Sequence, residues 1–140
     1  MKTDFWQQFD RGVFLVNALA IIKNDKGEIL IGKRQNDPHI KQLSWSFPGG
    51  RPAYDEDLEH YLKLEVKKKT GYDIEVGNII FAKSYPEDRR FLSIYYIGKI
   101  GGGKEKPSEK FSELKWVKPS DLSKYFTTSL HPKLLEKISK

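Results

Sequence analysis

The sequence has no cysteine, so neither a disulfide framework nor a thiolate metal site is open to it. It has no hydrophobic run long enough to cross a bilayer: the longest, residues 13–22, is interrupted by Asn17. Residues 1–10 carry Asp4 and Asp10 and lack an apolar h-region, so no secretory signal is expected and the expected location is the cytoplasm. There is no internal repeat and no recognised nucleic-acid motif. Acidic residues are outnumbered, 19 against 25 Lys+Arg, and the net charge of +6 invites a nucleic-acid partner. The lysines are spread along the chain, however, with local clusters at residues 67–69 and 104–110. That distribution suits a solvated basic surface with a preference for small phosphate esters, with neither nucleic acid nor membrane as partner.

What is present describes one α/β domain over residues 1–140, with 38% hydrophobic and 31% charged residues. Phe5, Trp6 and Phe9 share one helical face and predict a short N-terminal helix. Residues 13–22 are apolar on both parities, as in a strand buried on two faces. Asn24-Asp25-Lys26-Gly27 is a turn cluster leading to a strand over residues 28–33, and the two strands read as a hairpin. Residues 34–44 form a long polar loop, a candidate for binding. A short strand at residues 45–47 is broken by Pro48-Gly49-Gly50. Residues 55–70 predict a helix with Asp55 as N-cap, Gly71 at the C-terminal cap and an apolar stripe of Leu58, Tyr61, Leu62 and Val66. Strands are expected at residues 72–85, 91–100 and 113–117, a flexible loop from Gly101-Gly102-Gly103, and helices at residues 120–125 and 132–139. Mixed strands flanked by helices on both sides make an α/β sandwich.

Residues 50–72 resemble the Nudix box, Gly-x5-Glu-x7-Arg-Glu-aliphatic-x-Glu-Glu-x-Gly. Gly50, Glu56, Glu65, Val66 and Gly71 fall on the pattern at the right spacing. Leu64, Lys68 and Lys69 stand where the pattern has an arginine and its last two glutamates. The preceding Trp45-Ser46-Phe47-Pro48-Gly49-Gly50 and the late Lys115-Trp116-Val117 extend the likeness over nearly the whole chain. The resemblance implies a Nudix-type α/β/α sandwich with a mixed β-sheet, action on a nucleoside diphosphate linked to another group, Mg²⁺ as cofactor, and a homodimer. The run from Gly27 to Arg34, then Asn36, Pro38 and Pro48-Gly49-Gly50-Arg51, is similar to the GDP-mannose mannosyl hydrolase branch. That likeness implies that Arg34 and Arg51 grip the substrate's diphosphate. The chain departs from the branch at Leu64 and Lys69, and it has no histidine at residues 104–115, where the branch keeps its general base.

A diphosphate ester repels a nucleophile through its own charge, which Mg²⁺ neutralises while lowering the pKa of a bound water. Mg²⁺ takes hard oxygen ligands, and helical carboxylates at i, i+3 and i+4 share one face. Here that triplet is Glu65, Lys68 and Lys69. A lysine charge about 4 Å from a divalent ion repels it by roughly 8 kcal/mol at an effective dielectric near 20. A multi-metal arrangement is therefore not expected. Two readings stay open. In one, a single Mg²⁺ is held by Glu65, Glu56 and the Gly49 carbonyl, with Glu65 and Glu56 catalytic and Glu87, Asp88, Glu105 or Glu109 in support. The protein is then an altered or impaired hydrolase. In the other, Lys68 and Lys69 bind phosphate as point charges, and the protein is an inactive module for a nucleotide or nucleotide sugar. The ordinary alternative for Glu65 and Lys69 is an i, i+4 surface ion pair. Tyr54 and Tyr85 are candidates to stack on a base; His39 reads as an exposed loop residue, His60 and His131 as structural, and Trp45, Phe47 and Trp116 as core.

Overall fold

The computed structural model describes Gly12, residues 14–35 and residues 44–140. The expected N-terminal helix at Phe5, Trp6 and Phe9, and His39 with most of the 34–44 loop, lie outside those residues. The described elements run β1 (Leu15–Ile22), β2 (Ile29–Arg34), β3 (Trp45–Ser46), β4 (Gly49–Gly50), α1 (Leu58–Thr70), β5 (Tyr72–Ser84), β6 (Phe91–Gly103), β7 (Phe111–Val117), a 3₁₀ helix (Pro119–Lys124) and α2 (Pro132–Ile138). One mixed sheet has the order β4-β1-β6-β5, and an antiparallel sheet has the order β3-β2-β7. β1 runs parallel to β6, from Leu15 opposite Phe91 to Ile22 opposite Gly98. No helix among the described residues is long and apolar enough to cross a membrane.

The two faces of β1 account for the layering. Ala18, Ala20 and Ile22 join Leu62 and Val66 of α1 in one core cluster. Ile21 joins Leu122, Leu134 and Ile138, from the 3₁₀ helix and α2, in another. A strand covered on both faces has no polar side to show, which is why residues 13–22 read as apolar on both parities. Phe47 is buried in the second cluster; Trp45 and Trp116 pack partly buried against the cores. His131 caps α2, its Nδ1 accepting from the Lys133 N–H at 3.1 Å.

Several expectations need correction. β1 and β2 do not form a hairpin: they belong to different sheets, joined by the turn and by one bridge between Lys23 and Ile29. The turn itself forms as read, with the Asn24 side chain accepting from the Lys26 and Glu28 N–H groups. What separates the strands is the long-range pairing of all of β1 with β6. The N-cap of α1 is Asp57 and not Asp55: its carboxylate accepts from the His60 N–H at 2.9 Å. The expected C-terminal cap holds, Gly71 being left-handed at φ 82° and donating to the Lys67 carbonyl. Gly101-Gly102-Gly103 is no flexible loop but the end of β6, where Gly102 and Gly103 pair with Asp73 and Tyr72. The helix expected at residues 120–125 is a 3₁₀ helix started by Pro119.

Candidate functional site

α1 is fixed by burial of Leu62, Val66 and Thr70, which turns the adjacent stripe of Tyr61, Glu65 and Lys69 toward β4. β4 supplies main chain at close range because it is glycine. Gly49, opposite Leu19 of β1, has φ 150°, and a β-carbon there would overlap the Ala18 carbonyl oxygen. A β-carbon on Gly50 would overlap the Tyr61 hydroxyl and meet Glu65 Cγ at 3.5 Å. Strand and helix thus touch through the first positions of the box.

Between them lies the Lys69 ammonium. It donates a hydrogen bond to the Gly49 carbonyl and lies 3.6 Å from Glu65 Oε1, with the Phe111 ring centroid 5.7 Å away. Its side chain is 14% exposed. Burial pushes the ammonium below the usual lysine value; Glu65 works against this, and Arg34 and Lys110 reinforce it. Lys68 reaches the other oxygen of Glu65, also at 3.6 Å, from a 59% exposed position. Tyr61 is pushed up to about 12, chiefly by burial and then by Glu65 and Glu56, with Arg51 opposing. Its phenol is therefore a neutral hydrogen-bonding group at any working pH.

These residues line a cavity of about 540 Å³, a volume suited to a small organic ligand. Arg34, Arg51, Lys68, Lys69 and Lys110 line it against two carboxylates, Glu65 and Glu109. Arg51 also lies over the Phe91 ring, 5.3 Å from its centroid. The remaining wall is aromatic and hydroxylic, with Phe47, Tyr85, Tyr95 and Phe126 beside Ser93 and Thr128. Among the described residues, none hydrogen-bonds the buried Tyr85 hydroxyl at normal geometry, although Thr128 lies beside it. Burial pushes that phenol up, Thr128 opposes the shift and Glu87 adds to it. Glu87, in the turn between β5 and β6, holds Ser129 by accepting from its N–H at 3.0 Å and from its hydroxyl.

Of the residues singled out from sequence, Arg34, Gly49, Arg51, Glu65, Lys68, Lys69, Tyr85 and Glu109 come together around this cavity. Glu56 does not line it; that residue is exposed and accepts from the Ala53 N–H at 2.8 Å. Tyr54 is fully exposed, and Asp88 is engaged by Arg90 at 2.6 Å. Glu105 accepts from the Tyr72 hydroxyl and the Trp116 indole, at 3.0 and 2.8 Å. Sequence reasoning missed Lys110, Phe126, Thr128 and the row Phe91, Ser93, Tyr95. That row carried a signal, since alternate residues of a strand share a face.

The donors present do not fit Mg²⁺. Each oxygen of Glu65 faces an ammonium, and the Gly49 carbonyl already accepts from one. A metal at ordinary Mg²⁺–oxygen distances, about 2.1 Å, would sit against the Lys69 charge. Among the described residues, no group of three or more His, Asp or Glu side chains is placed to hold a metal ion.

Residues 13–138 match the family model described as NUDIX domain. The nucleoside triphosphatase NudI of Escherichia coli O139:H28 is 29% identical over 117 residues, covering 75% of this chain and 82% of the relative. A MutT protein from Methanosarcina mazei Go1 superposes with a TM-score of 0.73 at 22% identity, over 91% of this chain and 94% of that one. An ADP-ribose pyrophosphatase from Streptococcus suis 89-1591 superposes with a TM-score of 0.69 at 21% identity, over 90% and 92%. At such identities the superpositions carry the fold.

Proposed function

Because the chain belongs to the NUDIX domain family, we propose that the cavity beside its box takes a nucleoside diphosphate linked to another group, and that the protein is an altered, slow hydrolase of that ligand. The observation that carries this reading is the composition of the lining: five cationic side chains on the one hand, aromatic and hydroxyl groups on the other. Phosphoryl oxygens suit the first, with Arg34 and Arg51 able to meet them in a planar fork and Lys68 and Lys69 as point charges. A nucleobase, a flat ring with polar edges, suits the second, against Tyr85 and its neighbours. A nucleotide sugar is the proposed ligand within that class, on the likeness of Gly27 to Arg34 and of Arg51 to the mannosyl hydrolase branch.

Slowness follows from the box. Nudix hydrolases generally use divalent ions such as Mg²⁺, and the carboxylate they would lean on here, Glu65, is engaged by two lysines. The same engagement favours a second reading, an inactive module that binds the nucleotide and returns it intact. Long incubation of the protein with ADP-ribose and with GDP-mannose in Mg²⁺, followed by chromatography of the nucleotides, separates the two. The expected result is slow product formation that Glu65→Gln abolishes. Intact ligand recovered after binding favours the module, and failure to bind either compound contradicts both.

A further inference from the structure

Lys69 sits where strand and helix bring a carbonyl and a carboxylate oxygen together. The Gly49 carbonyl accepts from its ammonium, and Glu65 Oε1 lies 3.6 Å away. Holding a lysine there costs rotamer freedom and hydration. Lys68, 59% exposed, reaches the same carboxylate from solvent without that cost. A main-chain carbonyl from β4 and a carboxylate from α1 are hard oxygen donors of the kind a divalent cation takes. An ammonium offers three N–H donors. Gly49 accepts one of them and Glu65 Oε1 stands at ion-pair distance, so the ammonium keeps donor capacity for an oxygen in the cavity that Lys69 lines.

We infer that the Lys69 ammonium is a tethered cation occupying a divalent ion's place, so that the pocket receives diphosphate groups without metal and a divalent site is one substitution away. The diphosphate half of this inference rests on the reading of the cavity given above; the metal half does not.

Both halves are testable on the full chain. Mn²⁺ titration followed by electron paramagnetic resonance is expected to find no stoichiometric site in the wild type. Lys69→Glu adds a carboxylate beside Glu65 and the Gly49 carbonyl. It is expected to take up one Mn²⁺ and to melt at a higher temperature in Mn²⁺ than in chelator. Stoichiometric uptake by the wild type that Glu65→Gln removes would overturn the inference, as would a folded Lys69→Glu that gains no metal. Should the glutamate variant fail to fold, Lys69→Gln, uncharged and of similar reach, decides the matter through pyrophosphate titration in chelator. Binding about tenfold weaker or worse than wild type is expected from loss of a charge-assisted contact; unchanged affinity overturns the inference. A wild type that ignores pyrophosphate, beside a Lys69→Glu that gains Mn²⁺, would support the tethered cation and remove the ligand reading alone.

Discussion

The Gly49 carbonyl reaches the Lys69 ammonium because residue 49 has no side chain. With φ at 150° and the Ala18 carbonyl behind it, an added methyl group has nowhere to go, and β4 would have to leave β1. Gly49→Ala is expected to lower stability by about 1–3 kcal/mol in urea denaturation. At Gly101 a β-carbon meets nothing nearer than the Asp73 carbonyl oxygen at 3.8 Å, so Gly101→Ala is expected to stay within about 0.5 kcal/mol of wild type. Equal effects at the two positions would contradict the steric account. At this scale the sequence revealed identities well and directions poorly. Spacing alone put Glu65, Lys68 and Lys69 on one helical face. It did not reveal that Lys69 turns inward to a main-chain carbonyl while Lys68 stays in solvent, because that choice depends on how β4, the element before α1, packs against the helix.

The elements were legible where local signals agreed and misread where several competed. α1 buries Leu62 and Val66 and ends at Gly71 as expected, but Tyr61 turns to the cavity instead of joining the apolar stripe. Asp55, Glu56 and Asp57 all have the chemistry of a first turn, and the cap went to the last of them. Asp57→Ala is expected to cost about 1 kcal/mol through loss of the bond to the His60 N–H. Asp55→Ala, two residues before the cap, is expected to change stability by less than about 0.5 kcal/mol. Matched thermal melts check both, and a larger loss at Asp55 would contradict the observed cap. The hairpin expected from β1 and β2 failed for a different reason. A turn signal reports that the chain reverses, not that the flanking strands bond each other, and each strand found its partners elsewhere. Three consecutive glycines suggested a loop on composition, but pairing with Tyr72 and Asp73 keeps them in β6.

The cavity exists only at the scale of the whole molecule. Parallel pairing sets Asn17 opposite Ser93 and Leu19 opposite Tyr95, all four on its wall, while Phe126, Thr128, Ser129 and Leu130 line it from beyond β7. No local pattern announces such a meeting, so of the aromatic wall only Tyr85 was named, although alternation in β6 puts Phe91, Ser93 and Tyr95 on one face. Arg34, Arg51, Lys68 and Lys69 were legible and Lys110 was not. The central claim is that these basic side chains bind the phosphates of a nucleoside diphosphate derivative themselves, without a metal. Calorimetric titration of ADP-ribose into the wild-type protein, once in chelator and once in Mg²⁺, tests it most directly. The account predicts saturable binding in chelator with an affinity changed less than about threefold by Mg²⁺, a difference under roughly 1 kcal/mol. Binding that appears only when Mg²⁺ is present would contradict it and return the phosphate-binding role to a metal held by Glu65.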